Sequence, residues 1–423
     1  MIDLRTDFPL RDKGFSTALT LDEFPRHRWY FAKEGFSPKI VEEAINNDNV
    51  LPGEVIFDPF SGSGTVPLVG ALCGLRARGI EINPFLYFIS VTKLRQVPPD
   101  EFRAATRQIM LALKKPLPSP LEGFSTFTKG NAWGRWLFPR SVLRCFESGR
   151  RALVNIDLKL RDLLQLALIG AAMDCCNAMR DGKCLRYIKG WRENEANGSL
   201  FLKNFEQRAK IIATDLTISP LNDTQASMTE GDARKLISTP SLEKFRICVT
   251  SPPYLNSFDY SDIYRPELFL GGFVDSNKSL MNIRLRTVRS HVQASWERPK
   301  KDNFGILYND CIGKIRENAN DLWDRRIPTM VQAYFEDMEV ILRGLRLRAH
   351  DNASMWLVVS TSAYAGVEVP VDLILAEIGQ RAGWFLREVG VLRYLRSSSQ
   401  HYKKGENKSV PLRESVVILD ASK

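Results

Sequence analysis

The chain of 423 residues is 44% hydrophobic, 26% charged and 10% aromatic, the balance of a folded protein rather than of a disordered or collagenous one. Its net charge of +10 and pI near 9.2 favour a polyanionic partner such as nucleic acid. The opening MIDLRTDFPLRDKG lacks an apolar leader, and the most apolar stretch, Leu163 to Met179, is interrupted by Gln165 and Asp174, so neither secretion nor membrane spanning is expected. Seven cysteines form no CxxC pair and accompany four scattered histidines, which argues against a zinc site or a disulfide framework. Cys175 beside Cys176 is expected to pack in a core.

In chain order, Gly53 to Phe60 is an apolar run ending in a Gly/Ser turn, followed by a helix from Val66 to Gly74 and a strand from Arg76 to Ile82. That order predicts a parallel βαβ unit, and residues 1–85 are assigned to it. From Leu86 to Met228 the texture is helical, with Leu160, Leu163, Leu164, Ala167, Leu168 and Ala171 on one face, which predicts a helical insertion. Gly231–Arg234 reads as the end of a third strand, and Arg246 to Thr250 as the next, within a catalytic stretch over 229–270. Residues 271–327 show little periodicity and carry Arg284, Arg286, Arg289, Arg298, Lys300 and Lys301, so a long basic loop is expected. Over 328–423, a helix bearing Tyr334, Phe335, Met338, Ile341, Leu342 and Leu345 leads to a strand from Met355 to Val359 and a helix from Val371 that stops at Gly383. The closing strands, Trp384 to Leu395 and Glu414 to Leu419, are joined too briefly for a crossover helix and should pair antiparallel.

Four short stretches carry chemistry. In Asp58-Pro59-Phe60-Ser61-Gly62-Ser63-Gly64-Thr65 a strand turns into a helix, and Gly62 and Gly64 allow a ligand to approach backbone N–H groups. The loop lacks the Lys of a phosphate-binding GKT sequence, which argues against an NTPase, while Asp58 suits a ligand ammonium. Glu81, at a strand end before Asn83, can accept from ribose hydroxyls, and Asp232 can accept from an adenine amino group. Ser251-Pro252-Pro253-Tyr254 ends a strand with carbonyls that prolines leave unpaired, beside a hydroxyl and an aromatic face. Taken singly, each also reads as an ordinary turn, a solvated strand end or a packed Tyr.

In that order, DPFSGSGT, GIEINP, GDAR and SPPY resemble the class I S-adenosylmethionine-dependent amino-methyltransferases of DNA. The segment Lys33-Glu34-Gly35-Phe36-Ser37-Pro38 resembles their first cofactor motif. The resemblance implies an α/β, Rossmann-like fold with a seven-stranded, mostly parallel sheet, one antiparallel strand and helices on both faces. It implies S-adenosylmethionine as cofactor, with Asp58 at the methionine moiety, Pro59, Phe60, Gly62, Gly64 and Thr65 around the cofactor loop, Glu81 and Asn83 at the ribose, Asp232 at the adenine and Phe36 packed on the cofactor. Ser251, Pro252, Pro253 and Tyr254 would then hold the amino group of a base flipped out of double-stranded DNA.

Ser in the first position of SPPY resembles the N4-cytosine enzymes. N6-adenine methylation and methylation of an RNA base are the alternatives, with a protein substrate or a non-catalytic binding module behind them. No cysteine stands at this motif to support covalent methylation of a ring carbon. Phosphate contacts are expected from Arg180, Lys183, Arg186 and Lys189 in the insertion, from Arg286 and Arg289, and from Arg393 to Arg396 with Lys403 to Lys408. Asn256, Asp259, Tyr260 and Tyr264 are candidates for the base pocket. A cognate restriction endonuclease or specificity subunit is a possible partner, and a prokaryotic cytoplasm, at the nucleoid, the expected location.

Overall fold

Short runs of buried residues build one sheet of eight strands in a computed structural model that describes residues 2–18, 21–32, 35–181, 184–194, 196–221, 225–395 and 411–423. Strand β1 (Leu4–Arg5) and helix α1 (Pro38–Asn47) precede the expected βαβ unit: β2 (Val55–Asp58), α2 (Thr65–Leu72) and β3 (Arg76–Glu81). The inserted part contains α3 (Pro84–Lys93), α4 (Pro99–Leu113), α5 (Arg140–Ala152), α6 (Leu158–Asp174), a hairpin of β4 (Ala178–Asp181) and β5 (Cys184–Tyr187), and α7 (Gly198–Ile218). Then come β6 (Ser227–Glu230), α8 (Ala233–Leu236), β7 (Phe245–Thr250), α9 (Tyr260–Ile263), α10 (Arg265–Leu270), α11 (Asn277–Arg284) and α12 (Ile306–Glu317). The chain ends with α13 (Ile327–Arg348), β8 (Ala349–Ser360), a hairpin of β9 (Ser362–Tyr364) and β10 (Val367–Val369), α14 (Val371–Arg381), β11 (Phe385–Leu395) and β12 (Leu412–Asp420).

The sheet order is β1-β11-β12-β8-β7-β2-β3-β6. Strands β8, β7, β2, β3 and β6 run parallel, and β12 is antiparallel to both of its neighbours, as the brief connection between the last two strands requires. The seven expected strands are present, and two-residue β1 adds an eighth at the edge, parallel to β11. From β2 the chain steps outward through β3 to β6 and then returns to β7 on the other side of β2. That reversal opens a crevice at the C-terminal strand ends, where ligands bind in open α/β sheets. The register makes those ends level, with Asp58 beside Gly79 and Glu81 beside Glu230.

Local chemistry starts the helices around this crevice. Ser37 accepts from the Lys39 N–H at 3.3 Å ahead of Pro38, and Asn83 accepts from the Phe85 N–H at 3.0 Å ahead of Pro84. The helical insertion does not hang from the sheet as a separate lobe. Its Phe102, Phe146, Leu164, Phe201 and Phe205 share one apolar core with Phe85 and Ile89 of α3 and with Tyr264 and Leu268 beyond β7. Helix α3 bridges the two parts, touching β3 and β6 on one side and α6 on the other, and β6 joins the sheet by pairing with β3.

Residues 271–327 are a correction: α11 and α12 stand where a long loop was expected. The first turn of α11 is fixed by a reciprocal capping box between Ser276 and Ser279. Along α12, Tyr308, Cys311, Ile312 and Ile315 recur at helical spacing and bury against Phe335 and Met338 of α13. A helix of three turns whose exposed face mixes Asn309, Asp310, Lys314, Arg316 and Glu317 with the apolar Ile306 gives a weak period.

Candidate active site

One cavity of about 580 Å³ opens at the C-terminal ends of β2, β3, β6 and β7, within the size range of small-molecule sites. Phe36, Asp58, Pro59, Phe60, Gly62, Thr65, Glu81, Asn83, Asp232, Ser251, Pro252, Pro253 and Tyr254 all line it, and Arg286 reaches its wall from beyond α11. The structure therefore brings together residues that lie nearly 220 positions apart at the extremes of this set. Gly64 stands just behind: it starts α2 in the left-handed region at φ 82°, and a Cβ there would meet Ser90 at 2.9 Å. Lys33 and Glu34 of the first motif lie outside the described residues.

The cradle is built by hydrogen bonds between the strand ends. Asp58, 1% exposed, accepts from the Phe60 N–H at 2.9 Å and the Thr250 hydroxyl at 2.6 Å. Glu81 accepts from the Gly62 N–H at 2.8 Å with one oxygen and from the Asn83 N–H at 2.8 Å with the other. A carboxylate offers about four acceptor sites, so Glu81 both shapes the loop and retains capacity to accept from a ligand hydroxyl. Burial pushes both carboxyls up to about 7, against the hydrogen bonds that hold their charged forms. Ser63 Oγ and Asn83 Nδ2 belong to cavity-lining residues, are buried, and have no hydrogen-bond partner among the described residues. Orphaned polar atoms of that kind fit a wall built to meet a polar ligand.

Asp232, 7% exposed, caps α8 and is gripped by Arg234 at 2.8 Å. Arg234 also bonds Asp337 at 2.9 Å, and Arg289 forks onto Asp337 and Glu336, each at 2.7 Å. Arg289 is therefore committed to two carboxylates instead of projecting toward a phosphate. Arg180 is turned inward as well: its guanidinium pairs with Glu267, bonds the Tyr30 hydroxyl at 3.0 Å and lies 4.5 Å over the Tyr264 ring. Arg186 is exposed and paired with Asp181 at 2.8 Å, Lys189 is exposed, and Lys183 lies outside the described residues. The same holds for Arg396 and Lys403 to Lys408.

Opposite the cradle, the Tyr254 hydroxyl donates to Glu414 at 2.7 Å, and Glu414 is held by Arg393 at 2.6 Å. This chain fixes the Tyr254 ring from β12 and β11, and both Glu414 and Arg393 line the cavity. Arg393, expected at a phosphate, is instead committed to Glu414, and Glu414 gave no sequence signal, because only the antiparallel closure of the sheet carries the pair there. Asn256 and Tyr264 line the cavity, whereas Asp259 is paired with Arg284 at 2.6 Å. The side chain of Tyr260 lies outside the described residues. Ser257 adopts φ 61°, a strained conformation for a side-chain-bearing residue just after the tetrapeptide, and its N–H is tied to the Ser290 carbonyl at 3.1 Å. His291, also in the wall, is held down to about 4 by burial, and its Nδ1 accepts from the Gln293 N–H at 3.2 Å. A lone histidine in the basic stretch gave no sequence signal. No cysteine is among the residues described as lining the cavity. Among the described residues, no group of three or more His, Cys, Asp or Glu is placed to hold a metal ion, and no helix is long and apolar enough to cross a membrane.

No family model matches the chain. Type II methyltransferase M.AvaI, from Nostoc sp. and likewise from Anabaena variabilis, is 23% identical over 391 residues, covering 87% of this chain and 81% of that protein. Type II methyltransferase M.BsoBI of Geobacillus stearothermophilus is 23% identical over 444 residues, covering 93% of this chain and 85% of its own. Among solved structures, the rRNA methyltransferase aviRa from Streptomyces viridochromogenes aligns with 10% identity over 94% of this chain and 86% of that one, at a TM-score of 0.31, too loose a superposition to carry an argument. Over most of its length, this chain is similar in sequence to Type II methyltransferases.

Proposed function

We propose that this chain is a site-specific DNA methyltransferase that methylates the exocyclic N4 of a cytosine flipped out of the duplex. The observation that carries the reading is the shared cavity in which Asp58 and Glu81 face Ser251–Tyr254. The relatives named Type II methyltransferases support DNA methylation in a restriction–modification setting, and a net charge of +10 suits a DNA substrate.

The methyl donor is S-adenosylmethionine, which supplies a methyl group already activated on a sulfonium. Glu81, with Asn83 beside it, would hold the ribose, Asp58 the methionine end, and Asp232 the adenine, with Phe36 packed on the cofactor. The target amino group is a poor nucleophile, because its lone pair is conjugated with the ring. Ser251 Oγ and the Pro252 carbonyl can each accept one of its N–H bonds, which favours a pyramidal nitrogen with its lone pair free to react. Tyr254, its hydroxyl anchored on Glu414, presents a fixed face on which the base can stack. Catalysis by this chain is then positioning plus stabilisation of positive charge growing on nitrogen by these acceptors.

Ser251 carries the assignment to cytosine. Ser251→Ala should keep donor affinity and lose most methyl transfer to DNA. A Ser251→Ala protein as active as the parent would remove that role, and N6-methyladenine as product would reverse the base assignment alone.

A further inference from the structure

The geometry points to Trp133 as a wedge that enters duplex DNA beside the flipped base, with the loop around it as the docking surface; this rests on the DNA-methyltransferase reading above. Trp133 is 74% exposed, more than any other large aromatic among the described residues. Its loop is nonetheless firmly built. The Asn131 amide donates to the carbonyls of Thr128 at 2.7 Å and Arg135 at 2.6 Å, and its oxygen accepts from the Trp133 N–H at 2.8 Å. The stem closes with the Leu137 N–H on the Thr126 carbonyl at 2.8 Å and the Phe138 N–H on the Phe127 carbonyl at 2.9 Å, over two phenylalanine rings with no exposure. One exposed apolar side chain would be ordinary alone, but this one is held out in water by a braced loop, so its exposure is built into the fold.

Charge and composition say which partner. Lys129 and Arg135 flank the indole on exposed positions, and no acidic residue occurs between Gly123 and Arg140. Alongside, Trp136 and Trp191 meet with ring centroids 4.5 Å apart, and the Arg192 guanidinium lies 4.4 Å over Trp191. Cations interleaved with aromatic faces suit phosphates and bases together, and an apolar side chain inserted at a base step is a known way to open a stack. The surface stands beside the site. Arg265 of α10 donates to the hydroxyls of Ser125 and Thr126, both at 3.3 Å, at the loop's stem, and Tyr264, the residue before it, lines the cavity.

The test uses the full chain, a duplex that the parent protein methylates, and the same duplex with the target base mispaired. Opening a mispaired base needs less help, so a wedge matters less there. Trp133→Ala should slow transfer to the paired duplex about tenfold or more, slow transfer to the mispaired duplex far less, and leave donor affinity unchanged, while Trp133→Phe keeps most of the activity. Equal loss on both duplexes, or no loss on either, would overturn the wedge. A parent protein that transfers no methyl group to any DNA would instead overturn the DNA reading itself.

Discussion

Asp58 and Glu81 both lose water at the strand ends, and burial pushes each up to about 7, from ordinary values of 3.8 and 4.5. Between roughly pH 4.5 and 7 the folded chain therefore keeps protons that the unfolded chain has released, and on these groups stability falls as pH rises through that window. On the proposed assignments donor binding runs the opposite way, because charged carboxylates are the better acceptors for an ammonium and for hydroxyl groups. Calorimetry on the donor should show affinity rising from about pH 6 to pH 7, below the range in which the donor's own ammonium loses its proton; a flat or falling profile there would contradict these assignments. Glu81→Ala should weaken donor binding by about 1.5–3 kcal/mol, the scale of hydrogen bonds to a charged group. Tyr254→Ala should depress methyl transfer while leaving donor affinity nearly intact, and parallel loss of both would make the residue structural. These residues were legible in the sequence because glycines, prolines and strand-end acids have few other reasons to occur in that order. Glu414 was not, and Arg393 was read as a phosphate contact instead of its partner, since an alternating strand places one residue in two on each face whatever the function.

The hairpin of β4 and β5 shows where element-level reading runs out. Its basic residues and aromatics read as one phosphate-binding stretch, yet Arg180 points inward to Glu267, whose side chain has no exposure. Charge in a sequence carries no direction, and only the packing of the hairpin on α10 decides which cation is consumed inside. Arg180→Ala would leave the buried Glu267 carboxylate with the Tyr30 hydroxyl but no cation, and should destabilise the fold by about 3–5 kcal/mol. Thermal unfolding reads this directly, and an unchanged melting temperature would make Arg180 a surface cation again, available to phosphate. The strands and the long helix α13 were legible because their apolar periods are strong. The helices α11 and α12 were hidden by their short length and the weak apolar period that it leaves.

At the scale of the whole molecule, the insertion shares a core with α3 and α10, which flank the cavity, so the surface proposed to meet DNA is braced beside the pocket. Neutralising Lys129, Arg135, Arg186 and Lys189 together should sharply weaken duplex binding and flatten its salt dependence, by about 0.9 in log–log slope for each phosphate that the variant no longer neutralises. Donor affinity should not change. Parental affinity and slope in that variant would move the DNA-binding surface elsewhere on the chain. The most direct test of the central claim is to incubate the protein with duplex DNA and methyl-labelled S-adenosylmethionine, digest the DNA and identify the labelled nucleoside by mass spectrometry. The expected result is labelled N4-methylcytosine, most of it lost in Ser251→Ala; labelled 5-methylcytosine, or no label in DNA, would contradict it.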